Sequence, residues 1–228
     1  MRDQAVDVEH YKRQAAERAL RLVEPGMLLG LGSGSTATYF IEGLGGMVRE
    51  GLQVTAVATS KRSEQLALQA GIKVLKEVEG PFDLAVDGAD QVDPRRNCVK
   101  GRGGALLREK IVAFASRRFV VIADESKAVE HLHGPVPVEV LPFLWPQTAR
   151  HLEVLGGRPT LRGGMASPYV TDNGNLILDV DFGVIAEPAG TSAAIRAIPG
   201  VLADGLFTSV VAGVIIGGPT GIRTLGNV

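Results

Sequence analysis

Two hydrophobic periodicities alternate along the first half of the chain. Residues 8–23 place apolar side chains at helical spacing among charged ones, and Glu24-Pro25-Gly26 ends that segment. Residues 27–31 are a short unbroken apolar run, the pattern of a strand buried on both faces. That run passes directly into Gly32-Ser33-Gly34-Ser35-Thr36 and a second helical segment over 37–49. A strand over 53–58, a helix over 63–70 ended by Gly71, and a short strand over 72–75 continue the alternation. An apolar run at 83–86 leads into Asp87-Gly88-Ala89-Asp90-Gln91-Val92-Asp93. A helix follows over 105–115, and an apolar strand over 118–123 ends in Asp124-Glu125-Ser126-Lys127. Strands alternating with helices this regularly predict an α/β fold with a parallel, doubly wound sheet.

The pattern changes near His131. Four prolines between 135 and 146 read as a connection or an edge strand between two units. Beyond it come a strand (138–141), a helix (147–155), a strand (158–162), a turn at Asp172-Asn173-Gly174-Asn175, a strand (176–180), a helix (188–198) and a last strand near Val201. That order is the split ferredoxin-like β-α-β-β-α-β unit. Residues 210–216 look like a buried strand that rejoins the first sheet. A smaller α+β domain over 131–205, the expected place of subunit contacts, is therefore predicted as an insertion in an α/β domain made of 1–130 and 206–228.

Composition narrows the function classes. With 228 residues, 45% hydrophobic and 21% charged, the chain has enough apolar material for a substantial core. A net charge of -1 offers no electrostatic footprint for nucleic acid. Cys98 is the single cysteine, so no internal disulfide forms, and no Cys/His cluster has zinc spacing; no metal is expected. The polar stretch 1–12 lacks the apolar core of a secretory signal, and no run approaches the roughly 18 residues of a membrane helix, so a cytoplasmic protein without membrane contact is expected.

Strand, glycine-rich turn and helix together aim backbone N–H groups and a helix N-terminus at an anion. Gly32-x-Gly34-x-x-Ala37 fits a relaxed dinucleotide pattern, but the second predicted strand ends at Thr59-Ser60-Lys61, with no carboxylate before Glu64 for a ribose. Neither a Gly-Lys-Ser/Thr phosphate loop nor a Gly-x-Ser-x-Gly nucleophile elbow is present. The hydroxyls of Ser33, Ser35 and Thr36 suit one phosphate monoester; the bland alternative is a tight turn. Asp87 and Asp90 close a strand beside Gly88, whereas Asp93-Pro94 reads as a turn former. Taken alone, Glu109 reads as a solvated helix position, since Arg108 and Lys110 flank it, and Lys100 and Lys127 share that ambiguity. A phosphate cradle with clustered carboxylates and lysines suits proton transfer beside a carbonyl: a carboxylate moves the proton and a cation stabilises the enediolate. A sugar-phosphate sensor and a nicotinamide-dependent oxidoreductase are the rival readings.

The combination of Gly32-Ser33-Gly34-Ser35-Thr36, Asp87-Gly88-Ala89-Asp90, Lys100-Gly101-Arg102-Gly103, Leu107-Arg108-Glu109-Lys110 and Asp124-Glu125-Ser126-Lys127 closely resembles the ribose-5-phosphate isomerase A family. The resemblance continues through Pro137-Val138-Glu139-Val140, Leu155-Gly156-Gly157-Arg158-Pro159 and Thr171-Asp172-Asn173-Gly174-Asn175, and spans essentially the whole chain. It implies a Rossmann-like α/β domain with a smaller α+β domain, a homodimer or homotetramer, and cofactor-independent interconversion of ribose 5-phosphate and ribulose 5-phosphate in the pentose phosphate pathway. Carried over by position, Glu109 is the base that moves a proton between C1 and C2 through a cis-enediol(ate). Asp87 assists ring opening and hydroxyl proton transfer, Asp90 orients sugar hydroxyls, and Lys100 neutralises the enediolate. The resemblance further assigns Ser33, Gly34, Ser35, Thr36, Lys127 and Lys12 to the phosphate and sugar, with Gly88, Ala89, Gly101, Arg102 and Gly103 lining the same site. Arg102 departs from the small residue usual in that loop, and no role is assigned to it.

Overall fold

The computed structural model describes residues 2–228, with side chains described from Asp7 onward; Met1, at the head of the polar N-terminal stretch, lies outside the described residues. In chain order the elements are α1 (Arg2–Leu20), β1 (Leu28–Leu31), α2 (Ser35–Arg49), β2 (Thr55–Ala58), α3 (Lys61–Gln69) and β3 (Lys73–Val74). They continue with β4 (Leu84–Gly88), β5 (Gln91–Val92), β6 (Cys98–Val99), α4 (Leu106–Phe114) and β7 (Phe119–Asp124). Then follow β8 (Val136–Val140), α5 (Trp145–Val154), β9 (Arg158–Leu161), β10 (Leu176–Asp181), α6 (Pro188–Arg196) and β11 (Val201–Asp204). The chain closes with β12 (Leu206–Phe207), β13 (Gly213–Gly218) and β14 (Gly221–Gly226).

The main sheet has the order β14-β13-β7-β4-β1-β2-β3 and is parallel except for β14. This is the α/β class that the alternating periodicities predict, and residues 213–218 do rejoin the first sheet beside β7. Every residue of β7 is buried, as a central strand between two helical layers requires. On one face Ala15, Ala16 and Ala19 of α1 pack with Phe40, Ile41 and Leu44 of α2. On the other, Val112 and Ala113 of α4 pack with Phe119, Val121 and Ile216. Each large side chain so buried contributes roughly 1.5–3 kcal/mol. The helix α1 lies so close to β13 that a Cβ on Gly217 would stand 2.0 Å from the Tyr11 carbonyl oxygen.

A second sheet, β11-β8-β10-β9, is antiparallel and carries α5 and α6; its strand order is that of the split ferredoxin-like unit. Here the proline-rich stretch departs from expectation. The strand β8 is an inner strand, flanked by β10 and β11, and neither a connection nor an edge. The sheet tolerates Pro137 because Gly205, which donates to the Pro137 carbonyl at 2.7 Å, gives its own carbonyl to the backbone N–H of Lys100 at 2.8 Å. The bond a proline cannot make is thus not missed. The Asn-Gly turn forms where predicted, with Gly174 at φ 82°. It closes only on the bridge between Val170 and Leu176, however, and a longer loop separates it from β9.

Two features are not visible in the pattern. A three-stranded sheet, β12-β6-β5, joins the two larger sheets through strands only two residues long, too short to show alternation. The edge strand β14 is mostly exposed and so lacks an apolar signature. Both α1 and α2 also begin earlier than predicted, so Ser35 and Thr36 stand in the first turn of α2.

Candidate active site

In the main sheet β1 leads outward to β2 and β3, while β4 lies on its other flank and continues to β7. The chain therefore reverses its winding between β1 and β4, and the carboxyl ends of those two strands frame a crevice where open α/β sheets bind ligands. Asp87 closes β4 there, 2% exposed. Its Oδ1 accepts the backbone N–H of Ser33 at 2.9 Å and of Gly88 at 2.7 Å, which joins the two strand ends. Gly32 must be glycine for this contact, because a Cβ would stand 2.1 Å from the Asp87 carboxyl carbon.

Lys100 follows β6 and is 2% exposed, its backbone fixed by Gly205. Its Nζ lies 2.9 Å from Asp87 Oδ2 and 3.2 Å from Glu109 Oε2, and donates to the Gly88 carbonyl at 2.5 Å. Phe207 covers this ammonium at 5.3 Å. Glu109, in the first turn of α4, is 4% exposed. The solvated position suggested by its charged neighbours is thus wrong: Arg108 and Lys110 point elsewhere, Lys110 onto Asp204 at 2.9 Å.

Two carboxylates sharing one cation in a buried place cannot both hold a charge freely. Burial above all, then the negative charge of Asp87, pushes the Glu109 carboxyl up to about 8, against the pull of Lys100. Burial raises Asp87 as well, but Lys100 and the two backbone N–H groups oppose it. Burial alone would lower Lys100; Asp87 and Glu109 outweigh that and raise it, so the cation persists at neutral pH. The result is a proton acceptor poised near working pH beside a fixed positive charge, as general-base chemistry next to a developing oxyanion requires.

Residues 33–36, 88–90 and 100–103, with Glu109, Lys12 and Lys127, line one cavity of about 300 Å³. Asp87 lies behind its wall, in contact with Lys100. At the α2 end Gly34 adopts φ 91° and Ser35 starts the helix, so the N–H groups of its first turn lack partners within the helix, an arrangement that can receive an anion beside the Thr36 hydroxyl. Lys12, from α1, is paired with Glu9 at 2.6 Å, and Lys127 sits in a single 3-10 turn after β7. The loop from Gly101 to Gly104 is held from outside: Arg162 donates to the carbonyls of Gly101 and Arg102 at 3.0 and 3.1 Å. Asp90 Oδ2 accepts the Arg102 backbone N–H at 2.9 Å, while the Arg102 residue itself is exposed. A larger groove of about 660 Å³ between residues 76–82 and 111–117 has no buried acid–base pair and is less suited to chemistry.

Residues 55–221 match the family model described as ribose 5-phosphate isomerase A (phosphoriboisomerase A). The chain belongs to this family. A curated relative from Roseiflexus sp. (strain RS-1), a ribose-5-phosphate isomerase A, is 50% identical over 226 residues, covering 96% of this chain and 97% of its own. Among solved structures, ribose 5-phosphate isomerase A from Methanocaldococcus jannaschii superposes with a TM-score of 0.90 at 40% identity, over 95% of this chain and 98% of that one. A D-ribose-5-phosphate isomerase in complex with phospho-erythronic acid superposes at 0.92 with 39% identity, over 96% of this chain and 99% of that one.

Two further residues support the site without any motif of their own. Thr59 and Ser63 stand behind the Gly32–Thr36 loop: Ser33 Oγ lies 2.8 Å from Thr59 Oγ1, and Ser63 Oγ donates to the Gly32 carbonyl at 2.8 Å. The Ser33 hydroxyl is thereby engaged within the protein, and its backbone N–H is taken by Asp87. The sequence signal nearest to them is the hydroxyl-rich end of β2, Thr59-Ser60. Asp93 serves its turn, accepting the Asn97 backbone N–H at 2.8 Å. Among the described residues no cluster of His, Cys, Asp and Glu could hold a metal ion, and no helix is long and apolar enough to cross a membrane.

Proposed function

We propose that the chain interconverts D-ribose 5-phosphate and D-ribulose 5-phosphate, with Glu109 as the base. The observation that carries this reading is the buried Glu109–Lys100–Asp87 cluster at a cavity whose wall includes a helix N-terminus. The substrate phosphate binds at Ser35 and Thr36 with Lys12 and Lys127. Asp87 assists opening of the furanose ring and Asp90 orients the sugar hydroxyls. The Glu109 carboxylate then removes the C2 proton of the open aldose: the C2–H bond breaks, C1=C2 forms, and charge moves to the C1 oxygen. Lys100 neutralises that charge. Return of the proton to C1, with a proton passing between the two oxygens through Asp87, yields the ketose. No cofactor is consumed, because the substrate is its own oxidant and reductant. The phospho-erythronic acid bound by one relative supports this, since a phosphorylated polyhydroxy acid carries a planar carboxylate shaped like an enediolate.

Division into a 1–130 plus 206–228 domain and a 131–205 domain is supported by the two larger sheets, which share no strand. Exposed Phe143, Val154 and Val184 on the smaller unit favour subunit contacts there and a homodimer or homotetramer. A phosphorylated substrate, unable to cross a bilayer, favours a cytoplasmic location. Incubating the purified protein with ribose 5-phosphate alone tests the activity: ribulose 5-phosphate should appear without added cofactor. Absence of conversion, or dependence on a nicotinamide, overturns the reading.

A further inference from the structure

The turn from Thr171 to Asn175 is built around a fully buried acid. Glu139 of β8 has no exposed surface, and its Oε1 accepts from Thr171 Oγ1 at 3.0 Å, Asn173 Nδ2 at 3.0 Å and Asn175 Nδ2 at 2.8 Å. An acid so buried is costly unless donors satisfy it; all three reach Oε1, while Oε2 has no partner among the described residues, and those three bonds tie the turn to β8. The outer side of the turn touches the catalytic half of the molecule at two points. Arg108 Nε donates to Asn173 Oδ1 at 2.7 Å and its Nη2 to the Asp172 carbonyl at 3.3 Å. Asp172 Oδ2 accepts the backbone N–H of Lys61 at 2.8 Å, at the N-terminus of α3.

Both points lead into the cavity. Arg108 is the residue before Glu109 on the same helical turn. The first turn of α3 carries Ser63, whose Oγ holds the Gly32 carbonyl and lies 3.3 Å from Ser33 Oγ. We propose that the Glu139-anchored turn is a positioning clamp, through which Arg108 sets the reach of Glu109 and Asp172 sets the anion seat. None of these three residues touches the substrate; they act through Glu109 and the loop beginning at Gly32. The inference rests on Glu109 being the base.

Since a misplacement of about 1 Å can cost on the order of a hundredfold in rate, Arg108→Ala is expected to lower kcat about ten- to hundredfold with KM nearly unchanged. Asp172→Ala is expected to do the reverse, raising KM for ribose 5-phosphate about tenfold with a smaller change in kcat. Arg108→Lys and Asp172→Asn, which keep a charged donor and a side-chain oxygen acceptor, should each recover much of the loss. Asn173→Ala serves where Arg108→Ala does not fold, and should show the same kcat-dominated loss. A lower melting temperature with both constants unchanged, or one common mixed change in all variants, overturns the clamp and leaves a merely structural turn. Glu109→Gln run alongside separates the two ideas. Lost turnover there with a normal Arg108→Ala refutes the clamp alone, whereas retained turnover in Glu109→Gln refutes the base and the clamp together.

Discussion

Replacing Asp87 by asparagine tests the electrostatic origin of the base. Each carboxylate is paired with the same Nζ, at 2.9 and 3.2 Å, so Asp87 and Glu109 lie no more than about 6 Å apart. At an effective dielectric constant of about 20, two like charges at that distance repel by roughly 3 kcal/mol, which corresponds to about two pH units. Burial and this repulsion push Glu109 up to about 8, and the proton acceptor must be ionised to work. In the native enzyme kcat/KM should therefore rise with pH through a limb near 8. In Asp87→Asn the repulsion is gone and Lys100 is left to Glu109 alone, so the limb should move down by about two pH units. The plateau will fall as well, because Asp87 has its own task, but the midpoint is independent of the plateau. Initial rates of ketose formation measured across the pH range give that midpoint directly. A limb that stays in place or moves upward would refute the electrostatic argument.

Three further outcomes follow from the same geometry. Thr36→Ala removes a hydroxyl from the anion seat; a hydrogen bond to a charged group is worth about 1.5–3 kcal/mol, so KM should rise roughly ten- to hundredfold, and a change confined to kcat would contradict the seat. Gly32→Ala puts a methyl where the Asp87 carboxyl carbon lies 2.1 Å away, so Asp87 must move; kcat should collapse while circular dichroism stays native, and near-normal turnover would show that the contact does not matter. For stability, a raised carboxyl pKa acts with a definite sign. Folding favours protonated Glu109, so its contribution is full below the ordinary value near 4.5 and is lost as pH rises through about 8. Glu109→Gln should therefore melt higher than the native protein at alkaline pH, with the gap closing towards pH 4; equal melting curves at every pH would count against a perturbed Glu109.

What was legible in the sequence was local. The apolar runs of β1, β4 and β7 and the turns that follow them carry their own signatures, so the doubly wound sheet and its carboxyl edge could be read directly. Glu109 could not, because its burial arises from packing of α4 beneath residues far away in sequence. Its immediate neighbours, Arg108 and Lys110, suggest solvent, and only the tertiary partners Asn173 and Asp204 show where those two charges go. The resemblance to a known family singles out Glu109 as the base, whereas charge patterning points to solvent; its burial goes against the patterning. Pro137 failed as a signal for the related reason that its missing bond is compensated by Gly205 and Lys100, from two other segments. Thr59 and Ser63 carry no signature, because hydroxyls that support a loop from behind look like any strand end.

The most direct test of Glu109 as the base follows the carbon-bound proton itself. Glu109→Gln keeps the shape of the side chain and removes its basicity, and a positioned general base contributes on the order of 10²–10⁴-fold. With ribose 5-phosphate in deuterated water, the variant should lose both turnover and exchange at the transferred carbon position by at least that range. Substrate affinity, measured by titration calorimetry, should stay close to native. A folded Glu109→Gln protein that exchanges and turns over at nearly the native rate would contradict the account.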